Sequence, residues 1–218
     1  MAWTAPSTFV AGAILTAAQL NTNVRDNTLA GGPIYATEAA RDAAITAPFE
    51  GQRAYLTAST VATAAGQTTV IPSGVQTIYN GSVWVCVTQV GAVTDTTCST
   101  TTTASFADPS TAGNTNPTVT LVTGTSAIVD INSTLYNSTA SAYTFVSFAV
   151  TGATTLAGSE ANCYYYSAVS GTPADQHTGR RLIITGLTAG TNTFTMKYKV
   201  NVGTGQFNRR TLIVQGIA

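Results

Sequence analysis

From residue 118 to the C-terminus, apolar residues recur at every second position in short runs broken by Gly, Pro and Asn. The clearest run is Phe194, Met196, Tyr198 and Val200, with Thr195, Lys197 and Lys199 between them. A period of two is the signature of a strand with one buried face, so the three intervening side chains are expected to point outward. By this reading strands run over Thr118–Val122, Ser126–Tyr136, Tyr143–Val150, Ala161–Ser167, Arg180–Thr185, Asn192–Val200 and Arg209–Gln215. Turn signals separate them at Gly124, Asn137-Ser138, Gly152, Gly171-Thr172-Pro173, Gly190 and Gly203-Thr204-Gly205. Evenly spaced strands with no helix between them predict an antiparallel, jelly-roll-like β-sandwich.

The first hundred residues follow a different rhythm. Thr16-Ala17-Ala18-Gln19 matches a capping box, and Ala17, Leu20 and Val24 form one narrow apolar stripe that ends at Gly31-Gly32-Pro33. So short and narrow a helix needs a neighbour to be stable. A second helix is expected from Thr37 through Glu38, Arg41 and Ile45 to the break at Pro48. Strands Gln52–Leu56 and Thr68–Ile71 follow, and then a hairpin, Thr77–Trp84, around Asn80-Gly81. A two-residue type I′ turn there places Ile78 and Val83 on one face, and Tyr79, Ser82, Trp84 and Cys86 on the other. Thr94–Thr103, almost all Thr and Ser, reads as a linker or exposed strand. The predicted organisation is an N-terminal arm and helix (1–33), a small α/β hairpin module (34–92), a linker (93–103) and a C-terminal β-sandwich (104–218).

Composition agrees with a mainly β protein. Of 218 residues 44% are hydrophobic and only 8% charged, against the usual quarter charged. Thr alone makes up about one residue in five, so the polar surface is largely β-branched and strand-favouring. The net charge is zero but unevenly spread: residues 1–160 are acidic, while 161–218 hold Arg180, Arg181, Lys197, Lys199, Arg209 and Arg210 against Asp175. Either sparse charges cluster by chance, or the two halves meet complementary surfaces between subunits or an anionic partner. The basic residues are too thinly spread for a phosphate-reading patch, so nucleic acid is not an expected partner. No apolar run approaches the ~20 residues of a membrane span, and Met1 leads into no basic segment of a signal peptide.

Candidate chemistry is thin. The lone His177 sits in an expected loop beside Asp175, where a solvated imidazole is the ordinary reading. Glu38 and Asp42, with Arg41 between them, read as a solvated helix face and not as a glycosidase pair. There is no phosphate-binding Gly-Lys-Ser/Thr loop and no nucleophile elbow, and three sequons (at Asn80, Asn132 and Asn137) fit chance in so Thr/Ser-rich a chain. Cys86, Cys98 and Cys163 fit no zinc spacing; they are expected to be buried thiols, with a Cys86–Cys98 bond left open. No catalytic, metal-binding or cofactor-binding residue is nominated, and the chain reads as non-enzymatic. Tyr164-Tyr165-Tyr166 must alternate faces in a strand, leaving at least one tyrosine for an interface or a sugar. Together with Trp84 they form the candidate glycan or interface platform.

The N-terminal residues carry a more specific signal. Trp3-Thr4-Ala5-Pro6, Phe9-Val10-Ala11-Gly12, Leu15-Thr16-Ala17-Ala18, Leu20-Asn21 and Val24-Arg25-Asp26-Asn27 resemble the opening of a family of tailed-bacteriophage virion proteins, covering minor tail, fibre-like and head-appendage proteins. Ala39-Ala40-Arg41-Asp42-Ala43, Pro48, Gly51-Gln52, Tyr55-Leu56 and Tyr79-Asn80-Gly81-Ser82 with Trp84 are similar to a short module of phage tail-fibre and tail-tip proteins. The resemblance implies an N-terminal segment that attaches to the particle and a variable β domain that points outward. Trp3, Phe9, Leu20, Val24, Arg25 and Asp26 then become candidate docking residues. It further implies a tail-tip or fibre-like protein made in the bacterial host cytoplasm and resident in the virion, with other virion subunits as partners. By analogy with viral β-sandwiches it is expected to form a homo-oligomer, most simply a trimer. Competing expectations are a capsid decoration or head-fibre protein, a carbohydrate-binding module touching host cell-wall glycan, and a cell-wall hydrolase.

Overall fold

The computed structural model describes residues 16–17, 32–58, 68–70, 74–101, 103–111, 115–168 and 175–218. The alternating runs form two packed sheets, as expected for a mainly β chain. One holds β8 (Thr118–Thr123), β10 (Tyr143–Gly152), β11 (Tyr164–Ser167) and β13 (Gly190–Val200), in the order β11-β10-β13-β8. The other is built on β9 (Ser126–Asn137), β12 (Gln176–Thr185) and β14 (Thr204–Ile217), in the order β12-β9-β14. Apart from β10 and β11, which are neighbours in one sheet, successive strands from β8 to β14 cross from one sheet to the other, in the manner of a jelly roll.

The period of two decides what lies between the sheets. Phe194, Met196, Tyr198 and Val200 from β13 and Val146, Phe148 and Val150 from β10 are fully buried against Val129, Ile131 and Leu135 of β9 and Phe207, Leu212 and Val214 of β14. Tyr198 and Phe207 meet across the core with ring centroids 4.5 Å apart. Each such side chain contributes about 1.5–3 kcal/mol by leaving water.

Of the two readings of Thr94–Thr103, linker or exposed strand, the strand holds for Cys98–Thr101, although Cys98 and Thr100 are buried. β6 (Val90–Thr94) and β7 (Cys98–Thr101) both pair antiparallel with β14, β6 along Arg210–Val214 and β7 along Thr204–Phe207. β3 (Thr68–Val70) adds to the outer edge of β6. The boundaries placed at 92 and 103 therefore cut through the second sheet. Thr-rich strands hide because alternation of Thr with Thr has no hydrophobic period. Between the two pairings β14 carries a bulge: register shifts between Asn208 and Thr211, and Arg209 takes φ 49°. The extra residue turns Arg210 inward, where its guanidinium reaches the Tyr198 hydroxyl (3.1 Å) and the Thr96 carbonyl (3.1 Å).

A separate four-stranded sheet, β1 (Ile34–Tyr35), β2 (Arg53–Leu56), β4 (Val75–Tyr79) and β5 (Trp84–Cys86), carries the helix α1 (Glu38–Ala44). The helix expected from Thr37 forms, with Thr37 itself as its cap, its side chain accepting from the Ala40 amide. The hairpin differs in detail from a two-residue turn. Asn80 Oδ1 accepts from the Ser82 and Val83 amides, only Gly81 has positive φ, and Tyr79 faces Trp84 across a four-residue loop. The Asn80 side chain, with the Asn80 amide donating to the Val83 carbonyl (3.1 Å), closes it without a second left-handed residue.

These pieces give the molecule two poles. The small sheet packs where β8 turns into β9 and where β14 ends. Gly124 lies so close to the Ile217 carbonyl that a Cβ would sit 2.6 Å from it, and Gln215 Nε2 donates to the Val87 carbonyl (2.7 Å). At the other pole are Asn137, Tyr143, Val200 and Thr204, held by Asn137 Nδ2 donating to Thr144 Oγ1 (3.0 Å) and Asn201 N donating to the Tyr143 carbonyl (3.2 Å). The twelve residues of β9 set the separation, about 40 Å at ~3.3 Å per residue.

Candidate functional site

The far pole carries an aromatic step on the outer face of the β11-β10-β13-β8 sheet. Register builds it: Phe145 of β10 pairs directly with Tyr165 of β11 on one side and with Lys199 of β13 on the other. Tyr143, two residues earlier on the same face, joins them. The Tyr143–Tyr165, Phe145–Tyr165 and Tyr143–Phe145 centroids lie 5.6, 5.7 and 6.1 Å apart, within the favourable range for tilted rings. Phe106 closes the other side, edge-on to Phe145 at 6.4 Å. It arrives on the segment that takes over the edge of β13 beyond β8, where Ala107 and Tyr198 exchange backbone hydrogen bonds of 2.9 Å.

Tyr165 is 58% and Tyr143 39% exposed. Both are fixed by sheet geometry, and Tyr143 also by its amide donating to Asn201 Oδ1 (2.6 Å). Beside the rings, Lys199 Nζ lies 5.3 Å from the Phe145 centroid and donates to Glu160 Oε1 at 2.5 Å. Lys197 makes a parallel pair with Asp108 at 2.6 Å. Lys197 and Lys199 thus face outward as expected, but they are partly covered and paired. The site is apolar in its middle, flanked by two neutralised ion pairs, and rigid.

The candidate platform therefore changes membership. Tyr165 is the exposed member of its triplet, while Tyr164 and Tyr166 are buried against the core. Trp84 is also buried: it packs on Tyr79 (5.5 Å) beneath the Arg41 guanidinium, 4.7 Å from its centroid. Arg41 is only 5% exposed and pairs with Asp42 (2.8 Å), so the helix face read as solvated is half buried. Indole and small sheet bury the guanidinium because its flat face stacks where an ammonium would not. Tyr143, Phe145 and Phe106 were missed. Their signal was the outward half of an alternating run, Tyr143 and Phe145 in Tyr143–Val150, which should have been Thr or Ser.

The docking candidates Trp3, Phe9, Leu20, Val24, Arg25 and Asp26 lie outside the described residues, as does most of the expected first helix. His177 is on β12 and not in a loop, exposed, with Nδ1 3.1 Å from Thr134 Oγ1. Cys86, Cys98 and Cys163 are free and buried, without a Cys86–Cys98 bond. Burial pushes the Cys86 and Cys98 thiols up to about 11. Among the described residues no group of three or more His, Cys, Asp or Glu could hold a metal ion, and no helix is long and apolar enough to cross a membrane. Part of the charge asymmetry is balanced inside the chain, where Lys197, Lys199 and Arg181 pair with Asp108, Glu160 and Asp130 from the acidic half.

No family model and no curated protein matches this chain. Among solved structures it is similar to an isomalto-dextranase of Arthrobacter globiformis T6 complexed with panose, at 16% identity and a TM-score of 0.28 over 59% of this chain and 22% of the enzyme. It is also similar to the CBM22-1 xylan-binding domain of Paenibacillus barcinonensis Xyn10C, at 9% identity and a TM-score of 0.23 over 56% of this chain and 95% of that domain. The chain thus spans about a fifth of the first protein's length. Likenesses this loose leave function to be argued from the residues alone.

Proposed function

We propose that this protein is a non-enzymatic structural component of a tailed-phage particle. It is a homo-oligomeric, tail-tip or fibre-like subunit, attached through its N-terminal segment, with its sandwich directed outward. The observation that carries the reading is the polarity of the fold. Residues 1–31 join the described chain at Gly32, beside the edge strand β1 of the small sheet. The exposed aromatic step lies at the opposite pole, one β9 length away. An attachment at one end and a contact surface at the other is what an outward-pointing subunit requires. The motif at Trp3–Asn27 supports the phage assignment by resemblance, and the low charge suits contacts in which few ions must be desolvated.

Deleting residues 1–30 tests the attachment. The truncated protein should keep the thermal midpoint of the full chain yet be absent from purified particles; full occupancy of the truncated form would overturn the reading. Labelling the protein on intact particles tests its place. Signal at the tail tip supports the tail assignment, and signal confined to the shell would replace it with capsid decoration.

A further inference from the structure

We infer that the aromatic step at Tyr143, Phe145 and Tyr165 is a binding site for a neutral pyranose oligosaccharide. Exposed aromatic rings clustered on a rigid face need an explanation, since isolated surface apolar residues are ordinary but contiguous ones mark contact sites. Three rings within 6.1 Å of one another form a patch far smaller than the ~800 Å² per partner of a standard protein interface. Two of the three are tyrosines, each offering an apolar face and a polar tip.

A sugar ring presents the matching pair of surfaces, C–H groups on its faces and hydroxyls around its rim. The exposed tyrosine faces accept the first. The second meets the Tyr143 and Tyr165 hydroxyls and the Glu160 carboxylate, which is 64% exposed and held in place by Lys199. Charge selects the class of sugar. The Lys199–Glu160 and Lys197–Asp108 pairs cancel, and Arg180 turns its guanidinium onto the Ala161 and Cys163 carbonyls, so the rings face no cluster of cations of the kind that holds a phosphate or uronate polymer. Rigidity favours binding as well: the backbone beneath Phe145 and Tyr165 is held by cross-strand pairing and that beneath Tyr143 by Asn201, and the three rings pack on one another, so little conformational freedom remains to be lost.

This inference stands apart from the particle role, and the two fail separately. Calorimetric titration of the full-length protein with maltopentaose, cellopentaose, xylopentaose and chitopentaose should give a saturable signal with at least one. That affinity should change less than twofold between 50 and 500 mM salt. Tyr165→Ala and Tyr143→Ala should each weaken binding at least tenfold while leaving the thermal midpoint unchanged. Ile183→Ser, at a side chain 68% exposed on β12, should bind as the parent does. The inference is overturned if none of the four binds, or if Tyr165→Ala binds as tightly as the parent. It is equally overturned if Tyr165→Ala dissociates the oligomer in sedimentation, which would make the step a contact between copies of this chain. Normal particle incorporation without sugar binding sinks this inference alone; sugar binding without incorporation sinks only the attachment reading.

Discussion

Single residues here are governed by which side of a strand they fall on. Cys86 and Cys98 illustrate it, since both lie on inward positions and lose water on folding. Desolvation is the largest cause of their raised values, partly offset by the Thr88 backbone at Cys86 and by Arg210 near Cys98. A thiol held at about 11 when folded and near 9 when unfolded keeps its proton more tightly in the folded state. Its contribution to stability is therefore fully present below pH 9 and lost as the pH rises through about 11. Urea midpoints should hold steady from pH 6 to 8.5 and fall between pH 9 and 11, and a Cys86→Ala/Cys98→Ala protein should show a smaller fall. At pH 8 Ellman's reagent should label neither thiol until the protein unfolds; immediate labelling would show that the two are accessible.

Among the elements, β14 matters most, because it joins the strands of the first hundred residues to the rest of the sandwich: β9 runs along one edge, β6 and β7 along the other. Thr211 faces Val93 on one side and Asn132 on the other. A proline at Thr211 removes an amide and clashes inside a central strand. Thr211→Pro is expected to abolish the cooperative thermal transition seen by circular dichroism, and retention of a parent-like midpoint would deny β14 this central place. The sequence showed β14 itself through Leu212 and Val214, yet not its partners. Most strands of the sandwich were legible because one face of each is hydrophobic; β12, with only Ile184 buried, was read from its Leu182-Ile183-Ile184 run. β7 stayed open between linker and strand because Ser99, Thr100 and Thr101 look alike whether buried or exposed, and pairing across a hundred residues has no local signal. The aromatic step was half legible for the same reason: Tyr165 stands out in its triplet, whereas Phe106, Tyr143 and Phe145 meet only through sheet register.

At the scale of the whole molecule, the division into a small module, a linker and a sandwich gives way to one continuous core. Leu56, Val75 and Trp84 of the small sheet belong to the same buried cluster as Phe148, Phe194 and Leu212. The sandwich also borrows strands from the first hundred residues, since β3, β6 and β7 complete the sheet that β9, β12 and β14 begin. A fragment of residues 104–218 would leave the β6 and β7 edge of β14 unpaired. It would uncover Phe207, Leu212 and Val214, which are fully buried in the intact chain, and an open hydrophobic edge of that kind is a template for aggregation. Residues 32–218, by contrast, keep every pairing described. Calorimetry should therefore show a single transition for 32–218 with equal calorimetric and van't Hoff enthalpies. The 104–218 fragment should be recovered only as aggregate or as an unfolded chain. A soluble 104–218 fragment melting cooperatively near the parent midpoint would restore the linker and make the two halves independent. The distinction bears on the proposed attachment too, because a load at the N-terminal pole would then act on a single cooperative body, in which the described strands of both poles share one core.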